Sequence, residues 1–172
     1  MIKLTGAVLV LLSSCAIGAI LAAQIKEQEK WLKDIKMALF LLSGELEYHQ
    51  MPLPEALCLV GKRHGGYLGD FYVHLGESLE KKEGIPMHKL WTELGTKYLK
   101  DAPLSREQKT EFTELGRYFM ETDKNVRKNA VNFYMERLEE EMIQLRETGA
   151  DRAYLYRTLG MLGGMFLLIL VL

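Results

Sequence analysis

Residues 32–57 read LKDIKMALFLLSGELEYHQMPLPEAL, and their spacing decides the fold class. Leu32, Ile35, Leu39, Leu42 and Leu46 step by 3, 4, 3 and 4, which places an apolar stripe along one face of a helix. Pro52 and Pro54 end it, because proline inside a helix removes a hydrogen bond and clashes with the preceding turn. In the first turn of a helix the same residue costs nothing, so Pro54 opens a new helix at Glu55-Ala56-Leu57.

Working outward, the same punctuation recurs. Gly65-Gly66 stops the second helix. A third is expected from about Tyr67 to Glu83, with Leu68, Phe71, Leu75 and Leu79 on one face and Gly84 closing it. Pro86 opens a fourth, carrying Leu90, Trp91, Leu94 and Tyr98, and Asp101-Ala102-Pro103 breaks the chain again. Ser105 followed three residues later by Gln108 has the form of a capping box, and the fifth helix it starts should bury Phe112, Leu115 and Phe119. Val131, Met135, Leu138, Met142 and Leu145 mark a long last helix. No alternating strand pattern occurs, so the fold class is all-α: a soluble bundle of about six helices, its first and last helices expected side by side and antiparallel.

Both ends of the chain are apolar. Residues 4–25 contain no charge, and about 20 apolar residues cross a bilayer, so residues 1–25 are expected to form an N-terminal transmembrane helix. Two rivals stay open: a cleaved signal peptide ending near Ala22-Ala23, and a lipoprotein box at Leu12-Ser13-Ser14-Cys15. Residues 158–172 are also uncharged but reach only roughly 22 Å as a helix. Extension back through Tyr156 and Tyr154, with Arg157 reaching the head groups, makes residues 153–172 a second span. Gly160, Gly163 and Gly164 would give that span a smooth face for packing against another helix. Lys26, Lys30, Lys33 and Lys36 after the first span, and Arg146, Arg152 and Arg157 at the second, place residues 26–152 on the cytoplasmic side.

Between Lys26 and Arg152 lie 20 basic and 23 acidic residues, a balance that argues against nucleic acid as a partner. Cys15 and Cys58 lack metal-ligand spacing and read as small apolar residues. The four histidines, His49, His64, His74 and His88, form no metal motif, and there is no phosphate-binding loop or nucleophile elbow. No catalytic, cofactor-binding or metal residues are expected. The acidic run at 136–141 reads as a solvated helix face or a docking face for a basic partner, and Trp31 and Trp91 as packing residues.

Several motifs nevertheless resemble one family. They are Lys3-Leu4-x-Gly6-Ala7, Gly44-Glu45-Leu46-Glu47-Tyr48 followed by Pro52-Leu53-Pro54-Glu55-Ala56, Leu115-Gly116 followed by Asp123, and Tyr156, Leu159-Gly160 and Gly163 before the apolar terminus. Together they resemble the stage III sporulation protein AB family of endospore-forming bacteria. The resemblance implies a non-enzymatic component of the channel complex between mother cell and forespore, in the mother cell membrane. It also implies a soluble domain similar to the cytoplasmic domains of the type II secretion F-type platform protein. Partners would be other stage III proteins, among them the AA ATPase. By that analogy Glu45, Glu47 and Glu55, clustered at the proline corner, are the candidate partner contacts; the plainer reading is acids placed for helix geometry and dipole. A different class of function, an exported or lipid-anchored helical binding or sensor domain, follows if the N-terminus is processed at Cys15 or Ala23. Oligomeric state is open, a homo-oligomer included.

Overall fold

The structure is a computed structural model that describes the backbone of residues 2–171 apart from 82, 83 and 122. Side chains are described for residue 20, for residues 23–149 other than 82, 83, 120 and 122, and for residue 158. Among the described residues every regular element is helical: α1 Ile2–Glu47, α2 Leu53–His64, α3 Gly66–Glu80, α4 Met87–Tyr98, α5 Arg106–Leu115 and α6 Lys124–Val171, with a 3-10 turn at Tyr118–Met120.

The chain forms two compact units, one of Lys30–Glu140 and the other of Met1–Glu29 with Glu141–Leu172. The spans expected at 1–25 and 153–172 fall almost wholly on residues whose side chains lie outside the described set. Among the described residues no helix is long and apolar enough to cross a membrane. In the unit that holds the termini, Arg146 Nε donates to Glu29 Oε1 at 2.8 Å, and Ile25 lies against Gly149.

Within Lys30–Glu140 the expected stripes become core. Leu32, Ile35, Leu39 and Leu42 of α1 are buried, as are Leu68, Phe71 and Leu75 of α3 and Val131 and Leu138 of α6. Two ion pairs show how α1 and α6 run. Lys36 Nζ meets Glu139 Oε2 and Lys128 Nζ meets Glu47 Oε2, each at 2.8 Å. Moving eleven residues up α1 moves the partner eleven residues down α6, so the two helices are antiparallel here.

Glycine packing joins α2 to α3. A Cβ on Gly61 would lie 2.6 Å from the Gly69 carbonyl oxygen, so only glycine lets the two backbones come this close. The turn between them needs Gly65 and Gly66, at φ 70° and 63°. Aromatic rings close the middle of the unit. Phe71 meets Trp91 and Phe112 edge-on at 5.2 and 5.3 Å between centroids, and Trp91 stacks on Phe119 at 5.1 Å. The Trp91 indole donates from Nε1 to the Phe112 carbonyl at 2.8 Å, which satisfies its polar end inside the core.

The capping box at α5 is complete: the Gln108 amide donates to Ser105 Oγ at 3.1 Å, and the Ser105 amide to Gln108 Oε1 at 2.9 Å. Asp123 Oδ1 accepts from the Asn125 amide at 2.8 Å and caps α6. One expectation needs correction. Phe119 is buried but lies on the 3-10 turn beyond α5, which ends at Leu115. Gly116 sits against the Trp91 ring, where a Cβ would come within 2.6 Å of Trp91 Cβ, and the chain tightens there instead of continuing as helix.

Candidate docking surface

The proline corner is built by the end of α1 and the start of α2. The Met51 amide donates to the Glu45 carbonyl at 3.2 Å, Gln50 adopts a positive φ of 50°, and the Ala56 amide donates to the Pro52 carbonyl at 2.9 Å. Glu45 is only 12 % exposed and takes His49 Nδ1 at 2.9 Å and the Arg63 guanidinium at 3.8 Å, the latter from the last turn of α2. Glu47 is engaged by Lys128 of α6, and the hydrogen bond and charge of Glu47 push the Lys128 ammonium above its ordinary range. Glu55 stands exposed in the first turn of α2, where a carboxylate faces the positive end of the helix dipole.

Two of the three acids at this corner therefore meet cations of their own chain, and Glu55 alone is presented outward without an ion partner among the described residues. Gly160, Gly163 and Gly164 carry helical backbone in α6, and their surroundings lie outside the described residues.

The acidic run on α6 is divided by its partners. Glu139 answers Lys36, which lowers its carboxyl below the usual range through a hydrogen bond and then charge. Arg137 holds Glu111 of α5 at 2.5 Å and Glu107 at 3.7 Å, while Glu136 and Glu140 are exposed. Trp91 is core; Trp31 is half-buried on α1.

Cys58 and His74 take structural places, while the Cys15 side chain lies outside the described residues. Cys58 is half-buried and donates to the Val73 carbonyl, and burial, then Glu80 and Glu77, push its thiol up, away from the reactive thiolate. His74 stacks on Tyr98 and hydrogen-bonds its hydroxyl through Nδ1. Among the described residues no three His, Cys, Asp or Glu side chains converge as a metal site would need.

A surface absent from the sequence reading opens between α5, the 3-10 turn and α6. It is a groove of about 250 Å³ lined by Glu111, Glu114, Leu115, Tyr118, Phe133 and Arg137 among others. Phe133 is 67 % exposed at its edge, one of several large apolar side chains that face outward; Phe40 of α1 is another, at 64 %. The signal was present: Phe133 falls two positions after Val131, off the buried stripe of α6, so a phenyl ring had to emerge on the far face.

Known proteins fit this picture. A solved structure described as "Stage III sporulation protein AB (SpoIIIAB)" superimposes with a TM-score of 0.66 over 72 % of this chain and 97 % of that one, at 15 % identity, a likeness of fold. No curated protein matches the sequence. The family model described as "Stage III sporulation protein AB" matches residues 3–172, both apolar ends included, and the chain belongs to that family.

Proposed function

We propose that this chain is a non-enzymatic platform of the sporulation channel complex, held in the mother cell membrane by residues 1–25 and 153–172. Its helical unit then docks other proteins of the complex on the cytoplasmic side, the AA ATPase among them. The match over residues 3–172 carries this reading, because it takes in the apolar ends and the folded unit as one family design. The fold supports it: short helices closed around an aromatic core, with apolar and charged side chains turned outward, form a body suited to contact.

The experiment is complementation. Deleting the gene in a spore-forming host should arrest development after engulfment. A full-length copy should restore it, and residues 26–152 alone should not. Normal spores from the deletion strain, or full rescue by the soluble segment, would remove the membrane-platform reading.

A further inference from the structure

Two outward surfaces of the Lys30–Glu140 unit complement each other. The first is a stripe on α1 and the turn after it: Lys30, Lys33, Met37, Phe40, Gly44 and Tyr48, at steps of 3, 4, 3, 4 and 4, on one helix face. Lys30 and Lys33 are exposed and have no ion partner among the described residues, and the stripe contains no acid. Met37, Phe40 and Tyr48 are exposed, and a Cβ on Gly44 would meet nothing within 4 Å. Lys36, which faces α6 through Glu139, lies off this stripe.

The second surface is the groove between α5 and α6. Tyr118 and Phe133 give it apolar edges. Glu111 and Glu114 line it beside one cation, Arg137, which holds Glu111, so the lining carries a net negative charge, and Glu114 is exposed without an ion partner among the described residues. The stripe brings two positive charges and two adjacent apolar side chains.

We infer that the groove of one copy takes the α1 stripe of a second copy. Met37 and Phe40 seat between Tyr118 and Phe133, and Lys30 and Lys33 meet Glu111 and Glu114. The spacing agrees: both charged pairs are three residues apart on helices, a rise of about 4.5 Å, so both contacts form together when the helices lie side by side. An apolar helix face laid into a groove is a common recognition mode, and complementary charge sets its register. Because a patch meets a different patch, every copy keeps one of each free, and the contact builds closed rings or open rows. That copies would line up within one membrane rests on the platform reading above; the contact itself does not.

The test uses the full-length chain in detergent micelles, with oligomer size read by sedimentation velocity and folding by thermal unfolding. Lys33→Glu alone and Glu114→Lys alone should each weaken self-association by about tenfold at unchanged unfolding temperature. An equimolar mixture of the two variants should associate again, since each contact then pairs opposite charges. A monomeric wild-type chain, single variants that associate like wild type, or a mixture no better than either variant would overturn the inference and assign the stripe to another protein or to lipid head groups. Complementation is scored separately, so failure of the channel reading leaves this result standing.

Discussion

Tyr72 is wholly buried, and its hydroxyl has no hydrogen-bond partner among the described residues. Burial, with the Tyr134 phenol adding to it, pushes its ionisation far above the ordinary tyrosine range, so the group is a neutral hydroxyl. A buried polar group left unpaired costs about 1–3 kcal/mol. Tyr72→Phe keeps the ring packed against Phe71 and removes that cost. The expected outcome is a gain of about 1 kcal/mol, seen as a higher denaturant midpoint; a loss of stability would mean the hydroxyl has a partner. Trp91 shows the opposite arrangement, with its Nε1 paired inside the core. The stripe pattern made Trp91 legible as a packing residue and did not include Tyr72; the Trp91 hydrogen bond could not be read, because Phe112 lies 21 residues away and only folding brings its carbonyl there.

At the scale of elements, two contacts are open to test. In Gly61→Ala the added Cβ meets the Gly69 carbonyl and the Val73 amide at 2.6 and 2.8 Å, both backbone, so relief requires α2 and α3 to separate. A loss of about 1–3 kcal/mol is expected, typical of overpacking, read from the unfolding midpoint of the variant. The α1–α6 ion pairs respond to pH in opposite directions. Glu139 is lowered by Lys36, so its contribution is full above the ordinary carboxylate pKa and disappears as the pH falls through the depressed value. Lys128 is raised by Glu47, so its contribution is full below the ordinary lysine pKa and is lost as the pH rises through the raised value, above about 10.5. Protection of the amides at the facing turns of α1 and α6, taken relative to the intrinsic exchange rate at each pH, should therefore be greatest between those limits, and Lys36→Met should flatten the acid side alone. Both pairs are solvent-exposed, and added salt should shrink the effect.

For the molecule as a whole, the proline corner must be separated into architecture and contact. Glu47→Lys replaces an attraction to Lys128 with a repulsion, so the unfolding temperature should drop before any effect on partners is read. Glu55→Lys breaks no ion pair among the described residues, so the fold should hold, and reduced recovery of the AA ATPase on the full-length chain would then report contact at α2. Full recovery with Glu55→Lys would remove this corner as the proposed ATPase contact. Much of the fold was open to reading in advance. Pro52 and Pro54, Gly65-Gly66, Pro86 and the Ser105–Gln108 box act through their own backbone or within a turn, and the helices begin and end close to where they stand. Heptad-like stripes did the same for the core, because period is a local property of the chain. What sequence could not show was long-range. Glu47 and Lys128 are 81 residues apart, Lys36 and Glu139 are 103 apart, and the groove takes walls from α5 and α6. The sequence by itself determined which faces are apolar and, α5 apart, about where the helices stop; only the tertiary structure decided which acids are already paired and which elements wall the groove. Propensity and capping act between neighbours in the chain, whereas charge pairing and surface shape depend on distances that exist only after the helices have packed.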